Sequence, residues 1–111
     1  MKLKELVKSL NLKVLVGMDL LDRDVTGGYA SDMLSDVLAN SDKGYVWVTM
    51  QIHPNVPAVA STKDLSGIII VNGRKPEAQT LTKAEEKKVP ILLSQRSTYQ
   101  VVGRLYELGI R

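Results

Sequence analysis

With 111 residues, 44% of them hydrophobic, and no cysteine, the chain is expected to fold as one domain spanning residues 1–111 with a core of its own, and it excludes disulfides, thiolate nucleophiles and cysteine-ligated zinc. The formal charge of +3 is mild, and the lysines behind it, such as Lys2, Lys13, Lys63 and Lys87, are scattered rather than gathered into the basic, aromatic-interleaved stripe of a nucleic-acid groove. No apolar run approaches the ~20 residues of a membrane helix, and Met1-Lys2-Leu3-Lys4-Glu5 turns charged too early for a signal peptide. A cytoplasmic protein without nucleic-acid or membrane partners is expected.

Leu3, Leu6, Val7 and Leu10 recur at helical spacing, so residues 2–10 are predicted helical, with Asn11 as a left-handed stop. Lys13-Val14-Leu15-Val16 reads as a short strand ended by Gly17. After an Asp- and Gly-rich loop, Tyr29/Ala30, Met33/Leu34 and Val37/Leu38 repeat every four residues, which predicts a helix from Tyr29 to Ala39. Tyr45-Val46-Trp47-Val48-Thr49 is a β-branched and aromatic strand. Asn55 is placed to cap a short helix through Lys63, with Pro57 tolerated in its first turn. Gly67-Ile68-Ile69-Ile70-Val71, apolar on both faces, belongs in the middle of a covered sheet. Pro76 opens a helix to about Lys88, and Ile91-Leu92-Leu93 is a fourth strand. Ser97 or Thr98 caps the last helix, whose apolar face is Val101, Val102, Leu105 and Leu108, and Gly109-Ile110 suits a Schellman ending. Alternating helices and strands predict a three-layer α/β/α fold around a mainly parallel sheet of about four strands.

In open α/β sheets, ligands bind beyond the C-terminal ends of the strands. That rule gathers Gly17, Asp19 and the Thr26-Gly27-Gly28 turn after the first strand; Gln51, His53 and Asn55 after the second; Asn72, Gly73 and Arg74 after the third; and Ser94 to Thr98 after the fourth. A Gly-rich turn opening a helix aims backbone N–H groups at one spot and forms an anion site; a simple cap with glycine freedom explains the same residues. One helix terminus contributes at most ~2 kcal/mol where micromolar affinity needs about 8 kcal/mol, so Arg74, Arg96, Thr98 or His53 would have to help. His53, the only histidine, could serve as acid or base, with Asp32 or Asp36 as partners. P-loop, Rossmann, nucleophile-elbow and zincin motifs are absent, so no metal or cofactor is expected.

Asp24-Val25-Thr26-Gly27-Gly28, together with Tyr29 to Asn40, His53-x-Asn55, Val59-Ala60 and Gly67-Ile68-Ile69-Ile70, resembles the small stand-alone members of the DRTGG domain family. Val25 stands where the family name has Arg. The resemblance implies a fold similar to the N-terminal domain of HPr kinase/phosphorylase and of a MurF-type ligase. It also implies an accessory role, since host proteins such as long phosphate acetyltransferases and CBS-domain pyrophosphatases place their chemistry in other domains. The resulting expectation is a non-catalytic module binding a small anionic metabolite or nucleotide through Thr26, Gly27, Gly28, Tyr29, His53, Asn55 and Thr98. The alternatives are a homodimeric protein-interaction module, with partner proteins in place of a small ligand, and a small enzyme built on His53.

Overall fold

A computed structural model describes residues 1–111. In chain order the elements are α1 (Leu3–Ser9), β1 (Lys13–Val16), a 3₁₀ turn (Met18–Leu20), β2 (Gly27–Ala30), α2 (Leu34–Asn40), β3 (Tyr45–Thr49), α3 (Val56–Thr62), β4 (Gly67–Ile70), α4 (Ala78–Lys87), β5 (Ile91–Leu93) and α5 (Thr98–Glu107). The sheet order is β1-β5-β4-β3-β2, with four parallel strands and β1 antiparallel at one edge. The three-layer α/β fold is as expected, but the sheet has five strands and is mixed.

Side-chain alternation along the strands divides the core in two. Val46, Val48, Ile69, Val71 and Leu92 pack with α1 and α5. Trp47, Ile68, Ile70, Ile91 and Leu93 pack with α2, α3 and α4. β4 is buried along its whole length, as an unbroken isoleucine run between two helix layers must be. Trp47 is fully buried, and its indole N–H donates to the Ser31 carbonyl at 2.8 Å. The expected ends of α1 and α5 form, though the Asn55 side-chain cap on α3 does not: Asn11 is left-handed with φ 53°, and Ser97 and Gln100 make a capping box on α5. Gly109 donates to Tyr106 and Ile110 to Leu105, the paired bonds of a Schellman ending.

Two expectations are corrected. The helix predicted from Tyr29 to Ala39 is instead edge strand β2 followed by α2, which starts at Leu34. Gly27 to Ala30 pair in register with Tyr45 to Val48, and Ser31 breaks the helical repeat because its hydroxyl accepts the Met33 N–H locally. Met33, read as part of an apolar face, is 64% exposed. The second correction is the direction of β1. It runs toward the N-terminal ends of the parallel strands, where β2 begins, so residues 17–26 pass beneath the sheet from one edge to the other. Four strand spacings amount to roughly 19 Å, within reach of ten residues and without a helical crossover. This link is laced to the start of α1: Leu3 donates to Arg23 and Val25 to Met1, while Lys2–Asp24 and Lys4–Asp22 ion pairs lie at 3.0 and 2.8 Å.

The two glycines of β2 have different standing. A Cβ on Gly27 would lie 2.6 Å from Tyr45 Cε1 and 3.0 Å from the Arg111 carbonyl oxygen. A Cβ on Gly28 would meet Ile110 and Val46 at ordinary distances of 3.5 and 3.7 Å. Gly27→Ala is therefore expected to lower the urea unfolding free energy by ~1–3 kcal/mol, and Gly28→Ala to change it by under ~0.5 kcal/mol. Equal losses would refute this division.

Candidate functional site

The seven residues singled out in the sequence do not meet at one place. Thr26 and Gly27 lie at the N-terminal end of the parallel strands, opposite Gly44 and Tyr45. The Thr26 N–H donates to the Gly44 carbonyl and its hydroxyl to the Lys43 carbonyl, both at 2.9 Å. The run is a strand seat, and no helix begins on it, so the backbone anion site inferred from a turn-to-helix geometry is not formed. Val25 is buried among the α1 and α5 side chains, which explains an apolar residue at that position. Arg23, one step earlier, donates to the Lys88 carbonyl at 2.8 Å. A polar cleft of about 510 Å³ opens here among Arg23, Asp24, Lys43, Asp64 and Ser66. Its groups largely satisfy one another: Asp24 pairs with Lys2, Asp64 with Lys43 at 3.5 Å, and Ser66 donates to the Asp24 and Gly44 carbonyls.

His53, Asn55 and Thr98 follow the C-terminal ends of β3 and β5. His53 Nδ1 accepts the Asn55 N–H at 3.0 Å, and Gln51 Oε1 accepts the N–H groups of Ile52 and His53. Asn55 occupies the cap position of α3 without a side-chain cap bond. Asp32 accepts from the Thr49 hydroxyl at 2.9 Å and from the Met50 N–H at 2.7 Å, while Asp36 sits in the first turn of α2 and faces Tyr29. The two carboxylates thus serve different loops. No group of three or more His, Asp or Glu side chains is arranged to hold a metal. Arg96 donates to the Leu10 carbonyl at 2.9 Å. Gly17 and Asp19, grouped with these ends in the sequence, lie at the opposite end because β1 is antiparallel.

Gly28 and Tyr29 border a different feature, an apolar recess of about 140 Å³ between the free edge of the sheet and α5. Gly28 and Ala30 of β2, Val48 of β3, and Leu105 and Tyr106 of α5 form its walls, with Arg111 at the mouth. The Arg111 guanidinium carbon lies 4.6 Å from the centroid of the Tyr106 ring, a cation–π distance that restrains a long side chain. Val102, Tyr106 and Arg111 also line this recess and are not among the residues expected from the sequence. Val102, expected on the buried face of the last helix, is 37% exposed. A legible signal existed: Tyr99, Val102 and Tyr106 recur at i, i+3 and i+7, giving α5 a second apolar face beside the Val101/Leu105 face.

A family model described as the DRTGG domain matches residues 5–108. No curated protein matches the chain in sequence. Among solved structures, the CBS and DRTGG domains of the regulatory region of Clostridium perfringens pyrophosphatase, complexed with the activator diadenosine tetraphosphate, are similar with a TM-score of 0.70 and 9% identity. The match covers 93% of this chain and 45% of that one. At that identity the likeness is one of fold.

On the other face of β2, the Tyr29 phenol donates to both Asp36 carboxylate oxygens at 2.9 Å. Hydrogen bonds from Ser31, Tyr29 and Asn40 hold the Asp36 carboxyl below its usual range, and the bond to Asp36 raises the Tyr29 phenol above its ordinary value. A raised folded pKa contributes stability that is present below the unfolded value, about 10, and lost as pH rises through the folded one. A depressed carboxylate contributes stability above about 3.9 that is lost as pH falls through its folded value. Tyr29→Phe should therefore be less stable than wild type at pH 7, with the difference shrinking on both the strongly alkaline and the acid limbs. Urea titrations across pH check this, and parallel curves would refute it.

Proposed function

Because the chain belongs to the DRTGG domain family, we propose that it is a regulatory module that binds a small nucleotide or related anionic metabolite and performs no chemistry of its own. The observation that carries this reading is the recess beside β2, apolar inside and cationic at its mouth through Arg111. Its lining, mostly apolar with one placed charge, resembles that of small-ligand sites, and at about 140 Å³ it takes one part of such a ligand rather than the whole. The solved neighbour supports the ligand class, since that regulatory region is complexed with a nucleotide activator. A non-enzymatic role fits the side chains, because His53 Nδ1 and Asp32, the residues from which a catalytic pair would be assembled, are engaged by backbone N–H groups.

A second reading, pairing with another copy of the chain, is favoured by one observation. Gly103 lies mid-helix on the outer face of α5 among Tyr99, Val102 and Tyr106, and a Cβ there would meet nothing within 4 Å. Glycine inside an exposed helix costs about 1 kcal/mol relative to alanine, and nothing in the monomer offsets that loss. Close approach of a second helix would give the missing Cβ a purpose.

The two readings are separated by experiment. Thermal unfolding against nucleoside mono- and triphosphates, diadenosine tetraphosphate and phosphorylated metabolites should show one class raising the midpoint by roughly 10 °C at 100 times its dissociation constant, equivalent to ~2.7 kcal/mol. No shift across the panel would sink the ligand reading. Gly103→Ala should raise the stability of the dilute protein by ~0.5–1 kcal/mol. If α5 pairs with its copy, the same substitution weakens self-association in sedimentation equilibrium; a wild type that stays monomeric at high concentration removes the second reading.

A further inference from the structure

Two observations about the recess have no use in the monomer fold. The first is Gly28. Its backbone is free of the positive φ that favours glycine, and an added Cβ would sit at ordinary contact distance from Ile110 and Val46. The fold therefore tolerates a side chain where the chain has none, and what the missing side chain leaves open is the floor of the recess. The second is Arg111. It forms no ion pair, yet it is held over the Tyr106 ring at the mouth of an otherwise apolar space.

Size and charge together select the occupant. An apolar cavity of ~150 Å³ accommodates a benzene-sized molecule, and this one measures about 140 Å³. One flat ring fits inside, and a second fused ring would extend over the neighbouring groove along Val102 and Tyr106. A guanidinium fixed at the rim offers paired N–H donors suited to a phosphate. We propose that this recess receives the base of a nucleotide, with Gly28 as the floor, Val102 and Tyr106 along the side, and Arg111 taking the phosphate. The assignment rests on the ligand-binding reading above and adds the place, the orientation and the residues.

The test is titration of the full chain with the common nucleoside monophosphates, their nucleosides and inorganic phosphate, followed by amide chemical-shift mapping and calorimetry. A nucleoside monophosphate should bind, shifting the amides of Gly28, Ala30, Val102 and Tyr106. The matching nucleoside should bind about tenfold more weakly, and inorganic phosphate alone should leave those amides unmoved. Gly28→Val, which fills the floor, should abolish binding. Arg111→Gln, on an exposed side chain with no role in packing the core, should weaken it about tenfold or more, the ratio expected for one charge-assisted contact. The nucleoside should bind Arg111→Gln as well as it binds wild type. Should a nucleotide bind with both variants unaffected, this placement is overturned while the ligand reading stands. Should no nucleoside monophosphate bind the wild type, this placement is overturned, while the ligand reading is decided separately by the wider thermal panel. Shifts at Gly28 and Val102 that follow protein concentration and ignore nucleotide would assign the recess to a second copy and overturn the proposal.

Discussion

The seating of β2 against β3 is the constraint on which the rest of this surface depends. Gly27 lies so close to the Tyr45 ring and the Arg111 carbonyl that no larger residue fits without movement, and Thr26 closes the start of the strand with two bonds to the Lys43–Gly44 turn. From that anchor the register Gly28–Val46, Tyr29–Trp47 and Ala30–Val48 follows. The register places Tyr29 on the α2 face, within reach of Asp36, and leaves Gly28 and Ala30 facing α5. It also brings Ser31 to the Trp47 indole and Asp32 to Thr49 and Met50. A one-residue slip would reverse every one of these assignments, because side chains alternate faces along a strand. The Asp-Val-Thr-Gly-Gly run is thus first a device for docking an edge strand, and only its last glycine is spare.

α5 is the complementary half. Val101 and Leu105 are buried beneath it, and the Schellman ending folds Ile110 back into the same core. That turn delivers Arg111 to the outer side, where Tyr106 receives it. The helix therefore has an inner face that stabilises the fold and an outer face that does not. Exposing Tyr99 at 89% and Tyr106 at 56% is unfavourable for an isolated globule, in which large aromatics contribute most when buried. Tyr99, Val102 and Tyr106 are exposed on a helix that packs beside the unpaired edge of the sheet, where backbone groups are also free to pair.

Most of the fold was legible because its signals were local and redundant. The α1 period, the β3, β4 and β5 runs, the Ser97 cap and the Gly109 ending each rest on residues that act within a few positions of themselves. The edge strand was not legible. Gly27-Gly28 carries no β propensity, and Tyr29, Met33 and Val37 mimic a helical repeat. The outcome there is decided by pairing with Tyr45 to Val48, a contact that no local pattern encodes. The direction of β1 was hidden for a similar reason, since it depends on where residues 17–26 must deliver the chain. The candidate site suffered most. A rule about strand C-terminal ends grouped Thr26 with His53 and Thr98, although the first lies at the opposite end of the sheet. The residues at the recess mouth belong to a helix whose outer face was read as ordinary surface.

The location of the recess bears on how a ligand there would act. β2 is a four-residue edge strand with a neighbour on one side only, and such elements open at lower free energy than central strands. A ligand held between β2 and α5 would bridge an edge strand to a helix already anchored in the core. Its binding free energy is therefore directed at the local opening equilibrium of the edge, over and above the global one. Occupancy would suppress excursions in which β2 leaves β3, and with them the disruption of the Tyr29–Asp36 and Trp47–Ser31 contacts on the opposite face. A ligand so placed would couple the α5 side of the sheet to the α2 side through one short strand. Regulation by population shift needs such an arrangement: an element with two states and a ligand that contacts only one of them.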